Sequence, residues 1–201
     1  MNSFYTKYLK KLIDITISLI SLILLSPLLL LVSILIRIDS KGPAFFKQQR
    51  LGKSQVPFLL YKFRTMSHKT RNVHRQIFDG DSEVTRLGSF LRRTKIDELP
   101  QLVNVFLGNM SIVGPRPCLP EAKAKFGKFS KNRFEVKPGL SSLAAVKGSI
   151  YLTWEQKGIY DYLYVKNESL QLDLWIIYST LKVVLKGEKK MFGNQNLKRN
   201  K

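Results

Sequence analysis

Cysteine and acidic side chains are the residues this sequence most lacks. It has one cysteine, Cys118, in 201 residues, so an internal disulfide and a metal site built from several thiolates are both excluded. Only 14 residues are Asp or Glu against 34 Lys and Arg, which gives a formal net charge of +20. A surplus of this size predicts an anionic partner: a nucleic acid, an anionic lipid or a phosphorylated substrate.

The chain is also short and poor in histidine. At 201 residues and 23.2 kDa it provides one domain, or one domain with a membrane segment, and its 44% apolar residues exclude a disordered chain. Both histidines, His68 and His74, fall in a polar stretch at 67–85 that is predicted to be an exposed loop or irregular helix. Their spacing suits neither face of a helix, so solvent-exposed histidines are favoured over metal ligands.

Residues 12–36 form one long apolar run in which Asp14 is the sole charge. This run exceeds the length needed to enter a bilayer. A cleaved signal peptide is excluded, because its apolar core runs about 7–15 residues and ends in small residues at a cleavage site, which this run does not offer. The segment is therefore predicted to lie in lipid.

Two features favour a re-entrant segment over a spanning one. Basic residues flank the run on both sides, and basic flanks prefer the cytoplasm. Ser26 and Pro27 lie near its middle, where proline removes a backbone hydrogen bond and serine can satisfy the freed carbonyl. We predict a helix-break-helix hairpin whose arms of about thirteen residues reach roughly 20 Å into one leaflet. A straight spanning helix with a mild kink remains the alternative.

The remaining residues predict an α+β, mostly helical domain. Broken apolar and aromatic runs predict a small β-hairpin at 44–49 and 58–63. Residues 111–140 contain four prolines and predict a mostly irregular connection. Helical patterns cover four stretches: 84–93, a second that starts at 97 or 98 and runs to 107, 121–129, and an amphipathic 160–185.

The adjacent carboxylates Asp97 and Glu98 stand out in a chain poor in acids, just after the basic residues of 92–95. Pro100 fits the first turn of a helix, which places the pair at that helix's N-terminus. Free N–H groups, the helix macrodipole and the arginines there would hold a diphosphate. A carboxylate in such a field stays ionised and can attack phosphorus. The alternative is an ordinary helix cap whose charge the arginines neutralise.

Two further basic clusters support a phosphate site. Lys62 and Arg64 end a predicted strand in the run KFRTM, and Arg116 lies between prolines in the run GPRP. Flanking prolines restrict the backbone and so fix the direction of the arginine between them. A basic surface that only faces solvent would not need such a fixed arginine. Plain turn structure also explains such a run.

Four runs of the sequence carry a resemblance to a known family. They are KGPAFFKQQRLGKSQVPFLLYKFRTM at 41–66, TRLGSFLRRTKIDELPQLVNVFLGNMSIVGPRP at 85–117, KPGL at 137–140 and YLYVKNESLQLDLWIIYSTLKVVLKGE at 162–188. They resemble the bacterial polyprenyl-phosphate phosphoglycosyl transferases, the initiating sugar transferases of glycan assembly. The length is similar to that of the minimal monotopic members of the family.

The resemblance implies a two-step transfer. A carboxylate attacks the β-phosphate of a UDP-sugar, UMP leaves, and polyprenyl phosphate (undecaprenyl phosphate) takes the phosphosugar from the enzyme. By resemblance Asp97 is the nucleophile and a metal ligand, Glu98 has an acid-base or polar role, and Lys62, Arg92 and Arg116 hold phosphates. Mg²⁺ accompanies the chemistry because both substrates are anionic, although spacing does not decide which carboxylate binds it.

The same resemblance implies how the chain is arranged. It implies a re-entrant membrane hairpin over 1–40 broken at Ser26 and Pro27, a compact catalytic domain over 41–188 with membrane-surface amphipathic helices, and a basic polar tail over 189–201. The domain is expected on the cytoplasmic face of the bacterial inner membrane, against an anionic bilayer, with downstream glycosyltransferases as further partners. Apolar and aromatic residues near the hairpin are expected to admit the prenyl chain.

The sequence departs from the family pattern after Lys137-Pro-Gly-Leu. Where the family usually has TGLAQVNGR, this chain has SSLAAVKGS at 141–149. If this loop contacts the nucleotide or the sugar, the change alters which UDP-sugar is preferred. Asp161 matches an acidic position of the family, and it either touches substrate or organises its helix.

Two other classes of protein are compared with the enzyme. A membrane-tethered nucleic-acid-binding module fits a charge of +20 with interspersed aromatics, but no RNA-binding motif supports it and no nucleic-acid partner is expected. Such a module predicts salt-sensitive binding that survives loss of Asp97. A membrane scaffold with an inactive transferase fold is disfavoured by the intact pair of Asp97 and Glu98.

Overall fold

The computed structural model describes residues 4–67 and 83–197, so His68, His74 and most of the predicted loop at 67–85 lie outside the described residues. The described elements, in chain order, are α1 (Lys10–Asp39), β1 (Phe45–Leu51), β2 (Pro57–Phe63), α2 (Arg86–Thr94), α3 (Gln101–Phe106), β3 (Ser111–Val113), β4 (Gly139–Ser141), α4 (Leu143–Lys147), α5 (Trp154–Lys166), α6 (Leu170–Lys186) and α7 (Glu188–Leu197). The predicted mostly helical α+β class is confirmed.

The apolar run forms one continuous helix, preceded by a π-helical turn at Tyr5–Leu9. Helical backbone continues through Ser26 and Pro27, so no non-helical segment separates two helices there, and the re-entrant path of this segment through the membrane stays a prediction. Pro27 cannot donate the backbone hydrogen bond to the carbonyl of Ile23, but the Ser26 hydroxyl donates to that same oxygen at 2.8 Å. The freed carbonyl is thus satisfied, and the helix continues. By length and composition it is the one described helix that could cross a membrane.

Both ends of α1 pack against the rest of the protein. Near its start, the buried Asp14 accepts a hydrogen bond from the Ile112 backbone N–H at 3.0 Å. Near its end, Val32 and Ile36 pack in one buried cluster with Phe63. The apolar side chains between these contacts are largely exposed: Leu19, Ile20, Ile23, Leu24, Leu30 and Leu31. Asp14, the sole charge of the apolar run, therefore lies against the protein, and the exposed side chains in the middle of α1 are aliphatic.

Strands β1 and β2 form the predicted hairpin. They pair antiparallel, with Phe45 opposite Phe63 and Leu51 opposite Pro57. The fully buried Asn104 of α3 fixes this hairpin, because its amide donates to the Leu59 carbonyl at 2.7 Å and accepts from the Tyr61 N–H at 3.0 Å. These bonds hold the middle of β2 against α3.

The stretch at 111–140 is more ordered than predicted. Ser111–Val113 and Gly139–Ser141 pair as two short parallel strands, which the sequence did not indicate. A Cβ atom on Gly139 would lie only 2.0 Å from the Gly114 nitrogen, so the close approach of the two segments requires glycine. The predicted helix at 121–129 is a 3-10 helix, Pro120–Phe129.

The predicted single helix at 160–185 is two helices. Helix α5 starts earlier, after a capping box between Thr153 and Gln156. Ser169 caps α6, and its hydroxyl accepts a hydrogen bond from the Leu172 N–H. A short helix, α7, occupies much of the predicted polar tail and buries Phe192. Helices α4, α5 and α6 share a buried apolar cluster with β3.

Candidate active site

Asp97 and Glu98 lie in a 3-10 turn, Ile96–Glu98, between α2 and α3. Lys95 ends α2 in the left-handed conformation, with φ of 60°, and this redirects the chain into the turn. Pro100 caps α3, so the pair precedes that helix rather than forming its first turn. Both carboxylates are buried, with 7% and 9% of Asp97 and Glu98 exposed.

Glu98 is held by two cations from separate segments. Its Oε1 accepts a hydrogen bond from the Lys62 ammonium at 2.9 Å and another from the Arg116 guanidinium. Burial alone would raise the pKa of Glu98, but Arg116 and Lys62 outweigh burial and hold that pKa well below its usual range. Glu98 is therefore an ionised anchor that brings Lys62 of β2 and Arg116 of the 114–118 loop together.

Asp97 has the opposite electrostatics. Its Oδ1 is buried without a hydrogen-bond partner. Burial, followed by the charge of Glu98, raises the pKa of Asp97 to about 6, against the opposing charges of Lys62, Lys95 and Arg116. Glu98 therefore stays ionised across the ordinary pH range, as expected of a carboxylate here. Asp97 is ionised only above about pH 6. A desolvated carboxylate with a free oxygen is the more basic and more reactive of the two.

The other predicted phosphate-binding residues are not all at the pair. The Arg92 Nε donates to the Thr65 hydroxyl at 2.9 Å. Arg64, from the same basic run as Lys62, donates to the carbonyls of Lys41 and Ser40 at 2.9 and 2.6 Å, and so caps the end of α1. Lys62 alone from that run touches a carboxylate of the pair, and burial lowers its pKa.

Two arginines that sequence reasoning missed hold the loop that bears Arg116. Arg133, only 4% exposed, donates to the Arg116 carbonyl, and Arg50 donates to the Pro117 carbonyl at 3.2 Å. The Arg133 guanidinium lies 3.5 Å from the centre of the Phe126 ring. Nothing in the spacing of Arg50 or Arg133 distinguishes them from the other 32 basic residues, because their role arises from long-range packing.

Arg50, Arg133 and the 114–118 loop that they hold form an arginine clamp, and Asp161 positions Arg133 within it. Its Oδ2 lies 3.5 Å from Nη1 of Arg133, and both side chains are buried. Burial raises the pKa of Asp161 to about 7, although Arg133 and Lys157 oppose the shift. Of the two roles left open for Asp161, the geometry gives it the positioning contact, and its side chain also lines the adjacent cavity.

A cavity of about 540 Å³ lies beside the pair. Its lining includes Glu98, Arg116 and Asp161, while Asp97, Lys62, Arg92, Ser26 and Pro27 are outside that lining. Residues 141, 142, 144–146 and 149 also line it, so the loop that departs from the family pattern faces this cavity. A substitution in that loop can therefore act on whatever the cavity binds.

The oxygen donors suit a sparsely ligated divalent cation. Within residues 4–67 and 83–197, no three His, Cys, Asp or Glu side chains form a metal-binding group. Mg²⁺ needs no such group, since it binds one or two carboxylates together with substrate phosphates and water. Asp97 Oδ1 has no partner, whereas Glu98 Oε1 is occupied by Lys62 and Arg116, so Asp97 offers the better-fitting ligand atom.

Comparison with known proteins decides the family. A sequence model of the bacterial sugar transferases matches residues 5–187, nearly the whole chain. The chain belongs to this family. The resemblance seen in the motifs around Asp97, Glu98 and Arg116 is thereby confirmed.

Similar proteins include both short and long relatives. An uncharacterised sugar transferase of Bacillus subtilis, EpsL, is 39% identical over 180 residues, covering 90% of this chain and 89% of its own. An Aeromonas hydrophila UDP-N-acetylgalactosamine-undecaprenyl-phosphate N-acetylgalactosaminephosphotransferase is 38% identical over 187 residues, with 90% and 44% covered. A Klebsiella pneumoniae UDP-glucose:undecaprenyl-phosphate glucose-1-phosphate transferase is 38% identical, with 86% and 39% covered. The chain thus spans less than half the length of these two long relatives.

Proposed function

We propose that this bacterial sugar transferase moves a sugar-1-phosphate from a UDP-sugar to a polyprenyl phosphate, undecaprenyl phosphate, at the cytoplasmic face of the membrane. The observation that supports it best is the paired arrangement of Asp97 and Glu98. One carboxylate is desolvated with a free oxygen, and the other gathers two cations beside it. The Aeromonas and Klebsiella relatives are named for transfer to undecaprenyl phosphate.

In the first step an Asp97 carboxylate oxygen attacks the β-phosphorus of the UDP-sugar. A bond forms between that oxygen and phosphorus, and the bond from phosphorus to the bridging oxygen breaks, so UMP leaves with the electron pair. In the second step a phosphate oxygen of polyprenyl phosphate attacks the same phosphorus and releases the Asp97 carboxylate. Lys62 and Arg116, held on Glu98, offset the charge gathered on the transferring phosphate.

Magnesium belongs to this proposal. Mg²⁺ held by Asp97 and substrate phosphate oxygens would neutralise phosphate charge and stabilise the leaving UMP. The protein's own part is to bury Asp97, to fix Arg116 through its clamped loop, and to exclude water from the attacked phosphorus.

The membrane arrangement is also proposed to be re-entrant, with α1 entering and leaving one leaflet. Its support is that Asp14 near one end and Ile36 near the other both contact the same domain, while apolar side chains between them are exposed. A straight membrane span would separate those two contacts by the bilayer.

The test is release of UMP from a panel of UDP-sugars with Mg²⁺ and polyprenyl phosphate in nanodiscs. We expect release from one sugar or a few by the wild type, and a loss of at least about a thousandfold in Asp97→Asn. Asp39→Asn, which makes the same change at an exposed position, is the matched control and keeps full activity. No release from any UDP-sugar by folded, membrane-bound wild type would reject the proposal and favour an inactive scaffold.

A further inference from the structure

The cavity beside Glu98 has two chemically different ends. One end gathers basic side chains from five separate segments: Arg50, Lys95, Arg116, Arg133 and Lys157. Three carboxylates, Glu98, Asp161 and Glu188, also line the cavity, and Glu188 pairs with Lys95 at 2.8 Å, so the cations outnumber the anions by five to three. The other end lies between α4 and α6 and is apolar, formed by Ala144, Ala145, Ile177, Leu181 and Val184. Such a division fits an amphiphilic ligand with an anionic head and a hydrocarbon chain.

The apolar end is continuous with an exposed apolar face of α6. Leu181 lines the cavity and is still 58% exposed, so it stands at the mouth. One turn further on, Leu185 is 86% exposed, and Tyr178 lies on the same side with the Lys182 ammonium 4.1 Å from its ring centre. Exposed leucines beside an aromatic ring and a lysine are typical of a surface at a membrane interface.

Three of the four hydroxyl-bearing side chains that line the cavity, those of Ser141, Ser142 and Thr180, already make hydrogen bonds within the protein, and the fourth is Ser149. Ser141 and Thr180 hydrogen-bond to each other at 2.5 Å, and the Thr180 hydroxyl also donates to the Ile176 carbonyl at 2.8 Å. The Ser142 hydroxyl accepts from the Ala145 N–H at 3.1 Å. A uracil or sugar ring needs polar partners, whereas a hydrocarbon chain needs only apolar walls.

We propose that the channel between α4 and α6 binds the prenyl chain of the acceptor, with its phosphate at the cationic end. This inference rests on the proposed transferase function. It replaces the expectation that the chain enters beside the α1 hairpin, since no residue of α1 lines the cavity. The acceptor enters from the lipid along α6, and its phosphate meets the guanidinium of Arg116.

Two leucines one turn apart provide a matched experiment. Leu181→Asn places an amide at the mouth, and Leu185→Asn makes the same change on the same exposed face outside the cavity lining. The first half-reaction is measured alone, as exchange of labelled UMP into the UDP-sugar without acceptor. The complete reaction is measured against the concentration of undecaprenyl phosphate. Ala145→Leu, which narrows the channel, serves as a second variant in case Leu181→Asn is unstable.

We expect Leu181→Asn and Ala145→Leu to raise the KM for undecaprenyl phosphate about tenfold, while UMP exchange stays at the wild-type rate. A ten-carbon prenyl phosphate, which has much less chain to contact the channel walls, should show a smaller change, and Leu185→Asn should show none. A raised KM for the UDP-sugar with slower exchange would overturn the inference in favour of nucleotide in the channel. Equal effects of both asparagine variants would overturn it in favour of membrane attachment alone. Lack of exchange in the wild type would instead reject the proposed function itself.

Discussion

Asp97 and Glu98 are neighbours in the chain, yet their surroundings move their pKa values in opposite directions. Glu98 has Lys62 and Arg116 on one oxygen, while Asp97 is buried with an oxygen that has no partner. The two side chains thereby divide the work, since one is kept ionised to hold cations and the other is kept basic enough to attack. The sequence predicted which residues matter, but the division depends on Lys62, which is 36 positions away.

The pH dependence of the first half-reaction follows from the pKa of Asp97. Burial raises that pKa to about 6, and only the ionised carboxylate can attack, so UMP exchange should fall roughly tenfold per pH unit below 6. The measurement is the exchange rate from pH 4.5 to 8. Because the pKa of Asp161 is about 7, the same profile in Asp161→Asn is the control, and the step near 6 should persist there. A flat profile down to pH 5 would contradict the assignment.

Asp97→Asn should also stabilise the protein at neutral pH. The folded-state pKa of about 6 lies above the ordinary value of 3.8, so the folded state holds this proton more tightly and the free energy of unfolding decreases as pH rises from about 4 to 6. Removing the charge of Asp97 should therefore increase the free energy of unfolding by on the order of 1–3 kcal/mol at pH 7.5.

Thermal melting in detergent measures this gain. We expect a higher Tm for Asp97→Asn than for wild type at pH 7.5, no difference near pH 4, and no change for the exposed control Asp39→Asn at either pH. An unchanged or lower Tm at pH 7.5 would show that ionised Asp97 is compensated by its neighbours.

At the scale of elements, the 114–118 loop is held from both sides. Arg133 and Arg50 donate to the successive carbonyls of Arg116 and Pro117, and the Leu51 N–H donates to the Cys118 carbonyl at 3.0 Å. Flanking prolines stiffen the loop, as the sequence indicated, but the direction of Arg116 also requires these long-range bonds. The prolines could be identified in the sequence, and the buried arginines could not.

A double-mutant cycle tests the clamp. Arg133→Met leaves Asp161 buried without its partner and should lower the free energy of unfolding by about 3 kcal/mol at pH 8. Adding Asp161→Asn to Arg133→Met replaces the stranded carboxyl group with a neutral amide and should recover part of that loss. Melting curves of the two single variants and the double variant give the coupling. If their effects simply add, Asp161 and Arg133 do not act as a pair.

The elements that sequence reasoning predicted well have strong local signals. The β1–β2 hairpin follows from apolar and aromatic runs broken by turn residues, and α2 follows from a helical pattern. Thr85 caps α2, as a threonine before a helix commonly does. The β3–β4 pair was missed because three-residue strands carry no periodic pattern. The division between α5 and α6 was missed because apolar spacing continues across it, although Ser169 was available as a cap signal for α6. The capping box at Thr153 likewise signals the earlier start of α5.

At the scale of the whole molecule, α1 is tied to the domain at both ends. Tyr5 and Lys10 bond to Asp173 of α6 near the start, and Arg64 bonds to the carbonyls of Ser40 and Lys41 at the end. Composition predicted a membrane segment, but Asp14 within it could be explained only once Ile112 was found against it. The cavity could not be predicted from the sequence for the same reason, because its lining combines residues that lie between positions 50 and 188 of the chain.

The two tethered ends make membrane topology a decisive measurement. Single cysteines replace Lys11 and Lys41, both exposed, and Leu24 in the exposed apolar middle. The natural Cys118 is buried and adds little background. In inverted membrane vesicles, a membrane-impermeant thiol reagent should label positions 11 and 41 equally and should not label position 24. Intact cells should show neither end labelled.

The expected labelling pattern follows from the length of α1. A straight span places positions 11 and 41 on opposite sides of a hydrocarbon layer about 30 Å thick, and exactly one of them would then react in each preparation. A re-entrant α1 keeps both ends beside the domain that holds Asp14 and Ile36, so both react together. Labelling of one end only, in either preparation, would therefore reject the re-entrant arrangement while leaving the site chemistry of Asp97 and Glu98 untouched.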